Sequence, residues 1–310
     1  MYHGDSVHIT DAIPDDCVGL SIFSPPFPLM YAYTNSPHDM GNVASIDQMI
    51  DQFSYLMGPD KLMRVLMPGR NVFIHITQGV AQKGRDGYIG LKDFRGKIIA
   101  MMQDHGWIYY GEAVIDKDPQ LKAMRTKDHG LMFKSLVTDA ARMHPALPDY
   151  LLQFRKPGDN PVPIQAGQHN SNGGWVSNFE WILWARPVWY AADYMPGTWK
   201  PNYNGDGCDF GIRETDVLNV RQARETNDER HLCPLQLGVI ERCVKVWSAP
   251  GDIVYSPFAG IGSEGYVALK EGRRFIGCEL KESYWRNAQR NLEAAIADRN
   301  QGMLFDLAAD

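Results

Sequence analysis

The chain has 310 residues, of which 44% are hydrophobic and 22% charged, a composition that suits one large globular domain or a domain with a substantial insertion. Its net charge of −6 does not by itself indicate a nucleic-acid binder, although a basic face can lie on an acidic protein. No apolar run is long enough to span a bilayer and the N-terminus does not resemble a signal peptide, so we expect a soluble cytoplasmic protein with no membrane partner. The five cysteines form no CxxC pair, and we expect neither a disulfide framework nor a metal site.

Hydrophobic patterns predict strands that alternate with helices along most of the chain. In chain order the prediction is strand Val18–Phe23, helices Ile46–Met57 and Leu62–Met67, strand Val72–Ile76, helix Phe94–Met102, strands Trp107–Ile115 and Tyr150–Phe154, helix Leu235–Trp247, strands Asp252–Tyr255 and Arg274–Gly277, and helix Glu282–Ala297. Ser45 and Gln48 form a capping-box pattern before the first helix, and Pro68-Gly69 is expected to end the second. This alternation predicts an α/β domain with a largely parallel sheet.

The region 157–230 differs in composition from its flanks. It is rich in Gly, Asn and Pro, and it holds five of the eight tryptophans: Trp175, Trp181, Trp184, Trp189 and Trp199. We interpret it as an irregular inserted region in which the tryptophans serve as packing anchors more than as base-stacking groups.

A glycine-rich turn, Gly260-x-Gly262-x-x-Gly265, follows one predicted strand and precedes a helix. Glycines in this position let the backbone turn tightly and approach a ligand closely. Glu279 ends the next strand, 19 residues after Gly260, where a carboxylate can accept hydrogen bonds from both hydroxyls of a ribose. Only about 45 residues follow the turn, too few for a nicotinamide-binding fold, so the rest of the sheet must come from the N-terminal half. The pattern therefore predicts a nucleoside cofactor in a circularly permuted sheet.

The segment Ser24-Pro25-Pro26-Phe27 follows a strand that looks buried. Two prolines fix φ and remove two backbone donors, so the strand has to end there. Such a tetrapeptide alone is most often a turn or a polyproline recognition stretch. Its place after a buried strand, with a nucleotide turn downstream, favours a functional corner.

These motifs, in this order, resemble the β-class amino-methyltransferases of DNA, which use S-adenosyl-methionine. The family's (Asp/Asn/Ser)-Pro-Pro-(Tyr/Phe/Trp) motif is matched by Ser24–Phe27, its Phe-x-Gly-x-Gly turn by Phe258–Gly262, and its ribose-binding acid by Glu279. The resemblance covers roughly 1–155 and 230–300. It implies a Rossmann-like methyltransferase sheet, circularly permuted, with a catalytic half at 1–156, an inserted target-recognition region at 157–230 and a cofactor-binding half at 231–310.

The resemblance also implies roles for Asp5, near the cofactor adenine, and for His231, near its methionine moiety. Two positions depart from the family pattern. Ser256 stands where an acid is common before Pro-Phe, and two residues separate His231 from Pro234 in what is usually a His-Pro pair.

An exocyclic amino group is a poor nucleophile because its lone pair is delocalised into the ring. In the mechanism implied, the Ser24 side chain and the Pro25 carbonyl accept hydrogen bonds from that amino group, and Pro26 helps to hold the corner rigid. Phe27 stacks on a base that has been flipped out of the duplex, and Tyr31 and Tyr33 are candidates for the pocket wall, with core packing an equal alternative. No metal is needed.

Between residues 117 and 156 the chain has eight Lys or Arg and four Asp. In a duplex-binding enzyme such a stretch can contact phosphates. The candidates for this contact are Lys117, Lys122, Arg125, Lys127, Lys134 and Arg142. Base reading would fall to 157–230. His75, on the strand Val72–Ile76, is expected to be a core histidine with satisfied hydrogen bonds.

Several alternatives stay open. Ser24 favours cytosine N4 as the target, whereas adenine N6 is the commoner activity of the class, and we place adenine slightly first. Rival functions are a nicotinamide-dependent oxidoreductase, an RNA or protein-glutamine methyltransferase, and a non-catalytic nucleic-acid binder. The resemblance further implies double-stranded DNA as partner and a homodimer. The length leaves no room for a nuclease domain beside a methyltransferase, so we expect either an orphan enzyme or one paired with a separate restriction endonuclease.

Overall fold

The structure, a computed structural model, describes residues 1–27, 34, 36, 38–126, 128, 130–167, 174–191, 211–219 and 234–307. For residues 125, 126 and 301–307 it describes the backbone only. The predictions made for Tyr31, Tyr33, Lys127, Trp199 and His231 lie outside the described residues.

Strands and helices alternate through most of the chain, as the sequence predicts. The strands are β1 (Tyr2–His3), β2 (Val18–Phe23), β3 (Leu66–Thr77), β4 (Gly79–Ala81), β5 (Gly90–Lys92), β6 (Ile108–Ile115), β7 (Asp149–Arg155), β8 (Val188–Trp189), β9 (Ile253–Ser256) and β10 (Arg274–Glu279). The helices are α1 (Ser6–Asp11), α2 (Ile46–Met57), α3 (Leu62–Val65), α4 (Lys83–Asp86), α5 (Phe94–Asp104), α6 (Pro119–Thr126), α7 (Phe133–Thr138), α8 (Asn178–Trp184), α9 (Leu237–Trp247), α10 (Ser263–Lys270) and α11 (Glu282–Leu307). Among the described helices, none is both long and apolar enough to cross a membrane.

Eight of the described strands form one sheet, in the order β1-β10-β9-β2-β3-β7-β6-β8. All neighbours pair in parallel except β7, which runs antiparallel to both β3 and β6. The mainly parallel α/β sheet is therefore confirmed. Strands from the two ends of the chain are adjacent, since β1 pairs with β10 and β2 with β9. The circular permutation stays a prediction.

The core lies on both faces of the sheet because successive side chains of a strand point to opposite sides. One face carries Val72, Ile74 and Ile76 of β3 against α2 and α5, with Met49, Phe53, Phe94 and Ile98. The other carries Leu20, Ile22 and Phe73 against α9 and α10, with Val239, Ile240, Val244 and Val267. Burying each of these large apolar side chains contributes about 1.5–3 kcal/mol.

Helix α2 starts after Ser45, as predicted, but only half of the predicted capping box forms, because the Gln48 side chain bonds the N–H of Ala44 and not that of Ser45. Ser45 Oγ accepts a hydrogen bond of 3.1 Å from the Gln48 N–H, and Gln48 Oε1 accepts one of 2.8 Å from the Ala44 N–H. The first contact satisfies a backbone donor that the first helical turn leaves free, and the second fixes the residue that precedes the cap.

The prediction that Pro68-Gly69 ends a helix is wrong. Helix α3 ends at Val65, and β3 begins at Leu66 and runs through both residues. Pairing of β2 with β3 shifts register here, from Val18 opposite Leu66 to Leu20 opposite Asn71. Gly69 has φ of +68°, and its N–H donates to the Lys156 carbonyl at 3.1 Å. The two residues therefore form an irregular part of a strand, which glycine tolerates best.

The described parts of region 157–230 pack on the main sheet. Strand β8 extends the sheet beside β6. The indole of Trp175 donates 2.7 Å to the Lys245 carbonyl at the end of α9, and the Arg242 guanidinium lies 4.8 Å over the buried Trp189 ring. Trp175 and Trp189 are packing anchors, as expected, whereas the expectation is wrong for Trp181, whose side chain is exposed. The division at 157 and 230 stays a prediction.

Candidate active site

A cavity opens at the carboxyl edge of the sheet, where β1, β2, β9 and β10 end. It is lined by Ser24–Phe27 after β2, Pro257–Ile261 after β9, Asp5 after β1 and Glu279 at the end of β10. Ligands of open α/β sheets bind at this edge. The fold therefore brings together two motifs that lie more than 230 residues apart in the sequence.

The corner Ser24–Phe27 holds a hydroxyl and an aromatic ring at one wall of the cavity. The two prolines end β2 at Phe23 because they supply no backbone donor. Ser24 Oγ lies 2.8 Å from Nδ1 of His75 on β3. The Phe27 ring centroid lies 6.1 Å from the His75 ring centroid, with the planes inclined at 57°. His75 therefore contacts the side chains of Ser24 and Phe27, the first and last residues of the predicted catalytic motif.

The three predicted cofactor glycines have different positions. Gly260 has φ of +52° and lines the cavity, and a Cβ placed on it would meet no atom within 4 Å. Gly262 has φ of +85° and caps α10, where a Cβ would lie 3.1 Å from the Ala288 Cβ. Gly265 lies in α10, and a Cβ on it would lie 2.4 Å from the Phe275 ring. Gly260 faces the cavity, while Gly262 and Gly265 shape the turn and its packing.

Glu279 is fixed by two backbone donors. Its Oε2 accepts a hydrogen bond of 2.9 Å from the Gly260 N–H, and its Oε1 accepts one of 2.8 Å from the Lys281 N–H. Burial raises the pKa of Glu279 to about 7. An ionised carboxylate has roughly four lone-pair sites, so both oxygens keep capacity for a vicinal diol. Together with the open space beside Gly260, this donor and acceptor set fits a ribose.

Asp5 lies beside Glu279 because β1 and β10 pair and the Gly4 N–H donates 2.9 Å to the Glu279 carbonyl. One carboxylate oxygen accepts from the Val7 N–H at 2.9 Å and caps α1. The other lies 2.8 Å from His38 Nδ1.

Phe258 provides an apolar wall. Its ring lies 5.6 Å from that of Phe23 and 6.0 Å from that of Phe53, measured between centroids. The turn after β9 is therefore packed against the end of β2 and against α2.

Lys117 and Lys122 are not exposed phosphate ligands, so that part of the prediction is wrong. They are 6% and 8% exposed, and their ammonium groups lie 3.0 Å and 2.5 Å from the carboxylate of Asp149. That carboxylate also lies 3.2 Å from Nε2 of His75. The number of Lys and Arg residues in a stretch of sequence does not distinguish lysines at the surface from lysines that neutralise a buried acid.

Of the remaining predicted DNA contacts, Lys134 and Arg142 are exposed. Arg142 Nε lies 3.0 Å from Asp139 Oδ2. The side chain of Arg125 lies outside the described residues, as do Lys127, Tyr31, Tyr33 and His231. The described residues contain no group of three or more His, Cys, Asp or Glu that could hold a metal ion.

Sequence reasoning missed Asp149 and Glu264, and it gave His75 no role at the site. Glu264, in the first turn of α10, is buried and lines the cavity, and burial raises its pKa to about 8. Asp149 begins an apolar strand, where a buried carboxylate needs a partner. That placement was the one available signal, but the sequence does not identify the partner.

The chain matches the family model described as a DNA methylase, of the N6/N4 class, over residues 18–290. Type II methyltransferase M.BamHI of Bacillus amyloliquefaciens is 24% identical over 289 residues, which are 90% of this chain and 54% of that protein. DNA adenine methyltransferase YhdJ of Escherichia coli strain K12 is 39% identical over 81 residues, 26% of this chain and 28% of that protein. The chain spans about a third to a half of the length of the first curated relatives it matches.

Two solved structures share the fold over nearly the whole chain. A DNA modification methylase of Thermus thermophilus, complexed with S-adenosyl-L-methionine, has a TM-score of 0.62 and 20% identity, covering 95% of this chain and 94% of that chain. The PvuII DNA methyltransferase, cytosine-N4-specific, has a TM-score of 0.60 and 16% identity, covering 96% and 90%. None of these comparisons supports the oxidoreductase alternative. By its match to the family model, which spans most of its length, the chain belongs to the N6/N4 DNA methylase family.

Proposed function

We propose that this chain is a DNA methyltransferase that transfers a methyl group from S-adenosyl-methionine to the exocyclic amino group of a flipped-out base in duplex DNA. The observation that carries the proposal is the shared cavity, since Ser24–Phe27, Gly260 and Glu279 line the same space. Family membership and the S-adenosyl-methionine complex of a structural neighbour support that compound as the cofactor.

The residues at the cofactor end suit this compound. Glu279 would accept hydrogen bonds from the ribose hydroxyls, Gly260 would let the backbone approach, and Asp5 would lie near the adenine. Phe258 would close the apolar side. When bound, the cofactor supplies an activated sulfonium methyl group. The protein then has to hold the acceptor nitrogen in line with it, and placement of this kind can supply about 7–11 kcal/mol of the barrier reduction.

The residues at the corner suit an amino group. The Ser24 oxygen and the Pro25 carbonyl would accept its two N–H bonds and so concentrate the lone pair on nitrogen. Phe27, whose ring is fixed beside His75, would stack on the flipped base and offset the stacking lost from the duplex. Tyr31 and Tyr33 are proposed to complete the pocket.

The DNA would lie across the mouth of this cavity. Lys134 and Arg142 are exposed and are proposed to contact phosphates, with base reading by residues within 157–230. The order of the two motifs along the chain and the adjacency of β2 and β9 support a circularly permuted domain, with its halves at 1–156 and 231–310. A homodimer and a separate restriction endonuclease partner are further proposals.

We place adenine N6 first as the target, and a relative named as a DNA adenine methyltransferase supports this choice. Cytosine N4 is the second candidate because Ser24 occupies the first position of the catalytic motif, and a structural neighbour is named as cytosine-N4-specific.

The test is to incubate the purified chain with unmethylated plasmid and S-adenosyl-methionine, digest the DNA to nucleosides and separate them by mass spectrometry. We expect N6-methyldeoxyadenosine. N4-methyldeoxycytidine would instead establish the second candidate. The absence of both products, on plasmid DNA of varied sequence, would contradict the proposed function. Ser24→Ala, which is expected to have strongly reduced activity, serves as the control.

A further inference from the structure

A buried row of polar groups runs from the catalytic corner into the sheet. Ser24 Oγ lies 2.8 Å from His75 Nδ1, and His75 Nε2 lies 3.2 Å from Asp149 Oδ2. The Asp149 carboxylate is flanked by the ammonium groups of Lys117, at 3.0 Å, and Lys122, at 2.5 Å. His75, Asp149 and both lysines are buried.

The direction of β7 creates this row. Because β7 runs antiparallel to β3, its first residue, Asp149, pairs with Thr77 near the carboxyl end of β3. The carboxylate therefore reaches the edge of the sheet where the cavity opens. Lys117 follows β6 and Lys122 lies on α6, and the ammonium groups of both contact the Asp149 carboxylate. Thr77 Oγ1 accepts a further hydrogen bond of 2.9 Å from Lys122.

These contacts determine where the protons lie. Asp149 is held ionised, because two ammonium groups keep its pKa well below the usual range, and an ionised carboxylate can only accept. Nε2 of His75 must therefore donate to it. Burial lowers the pKa of His75. A neutral imidazole with its proton on Nε2 has an unprotonated Nδ1, which can only accept.

We propose that His75 and Asp149 are positioning residues that fix Ser24 as a hydrogen-bond acceptor toward the target amino group. The Ser24 hydroxyl donates its proton to Nδ1 of His75, so the lone pairs of its oxygen face the cavity. A free serine hydroxyl can equally donate or accept, and a donor aimed at the amino nitrogen would compete for the lone pair that has to attack. This inference rests on the proposed function for its substrate but not for its hydrogen bonds.

His75 is not the base that removes the proton lost by the amino group after methyl transfer. Protonating Nδ1 would place a third cation beside the ammonium groups of Lys117 and Lys122, which already flank the Asp149 carboxylate. The ring therefore acts by orienting Ser24 and by supporting the Phe27 ring.

The direct test is NMR of the full-length chain labelled with ¹⁵N-histidine, with His75 assigned through correlations in the wild-type protein. We expect His75 to be neutral with its proton on Nε2 at pH 8 and at pH 7, and to gain a second proton only at a lower pH than an ordinary histidine does. A proton on Nδ1, or an imidazolium at neutral pH, would overturn the proposal. This readout needs neither DNA nor a variant.

A double-mutant cycle tests the effect on catalysis. His75→Ala is expected to lower kcat by about 10²-fold, the scale of a misplaced reactive group, while the Kd for S-adenosyl-methionine stays unchanged. His75 acts through Ser24, so adding His75→Ala to Ser24→Ala should cost little more, whereas an independent structural role would multiply the two losses. His75→Asn, whose amide oxygen can accept from Ser24, should recover part of kcat. Phe73→Leu, a buried change on the same strand and face, should leave kcat near wild type.

The outcomes separate the two proposals. A wild-type chain that methylates no DNA but shows the expected His75 tautomer would contradict the proposed function and leave the orientation of Ser24 supported. A chain that methylates DNA but carries the Nδ1 proton would contradict this inference alone.

Discussion

The backbone N–H of Gly260 donates a 2.9 Å hydrogen bond to the side chain of Glu279. This contact joins the turn after β9 to the acid at the end of β10, so the glycine that lets a ligand approach and the carboxylate that would hold its ribose move as one unit. A ligand that binds Glu279 is therefore presented to a backbone already in place, which lowers the entropy lost on binding.

Affinity for S-adenosyl-methionine should fall as pH drops through 7. Burial raises the pKa of Glu279 to about 7, and the ribose hydroxyls need the ionised form as acceptor. Above pH 7 the carboxylate is ready to bind, whereas below it each pH unit should weaken binding by up to about tenfold, because ligand binding must first release a proton. Calorimetric titration at pH 6, 7 and 8 measures this. Glu279→Gln should bind weakly at all three values, and an equal Kd for the wild type from pH 6 to 8 would contradict the assignment.

Glu264→Gln should stabilise the protein at alkaline pH and have little effect at acidic pH. Burial raises the pKa of Glu264 to about 8, so between the ordinary glutamate value and pH 8 the folded chain holds a proton that the unfolded chain lacks. Stability from this group is therefore present at low pH and lost as pH rises. The melting temperatures of wild type and variant, compared at pH 5 and pH 8.5, should differ mainly at the higher value. An equal difference in melting temperature at pH 5 and at pH 8.5 would show that Glu264 has a partner that keeps it ionised.

Gly260→Ala and Gly265→Ala form a matched pair. The first places a methyl group at the cavity in a left-handed conformation, so it should cost about 1–2 kcal/mol of stability and also raise the Kd for S-adenosyl-methionine. The second drives a methyl group into Phe275, so it should cost about 1–3 kcal/mol and leave that Kd unchanged in the folded fraction. Urea denaturation and cofactor titration separate the two effects. Loss of affinity from Gly265→Ala alone would reverse the roles given to these glycines.

Charge reversal at Lys134 and Arg142 should weaken duplex binding. Each lost phosphate contact should reduce the slope of log K against log[salt] by about 1, since one fewer counterion is released. Lys97→Glu, an exposed lysine on α5 outside the stretch 117–156, is the control and should leave the slope unchanged. An unchanged slope in the Lys134→Glu, Arg142→Glu variant would remove this surface from the DNA interface.

Lys122→Met, by contrast, should lower the free energy of unfolding by about 3–5 kcal/mol, because it removes a buried partner of Asp149.

The residues that could be predicted from the sequence lie in local motifs. Ser24–Phe27 and the turn at Gly260 combine a strand end with prolines or glycines, and such combinations have few structural solutions. Glu279 could be predicted because it ends the neighbouring parallel strand. The position of Asp149 could not, since it depends on β7 running antiparallel beside β3, a pairing between segments 72 positions apart that leaves no local signal. The burial of Lys117 and Lys122 could not be predicted for the same reason, because it depends on the acid that the fold brings close to them.

The pairing of β2 with β9 sets Leu20 opposite Val254. A ribosome adding about 5–20 residues per second would complete the corner at Ser24 roughly ten to fifty seconds before the glycine turn leaves the exit tunnel. Throughout that interval β2 has an open edge and the cavity lacks one wall. Strand pairings this distant in sequence form slowly and expose apolar edges meanwhile. The cavity is therefore complete only after the last strands dock, and partial chains released early would lack one of its walls and expose an apolar strand edge.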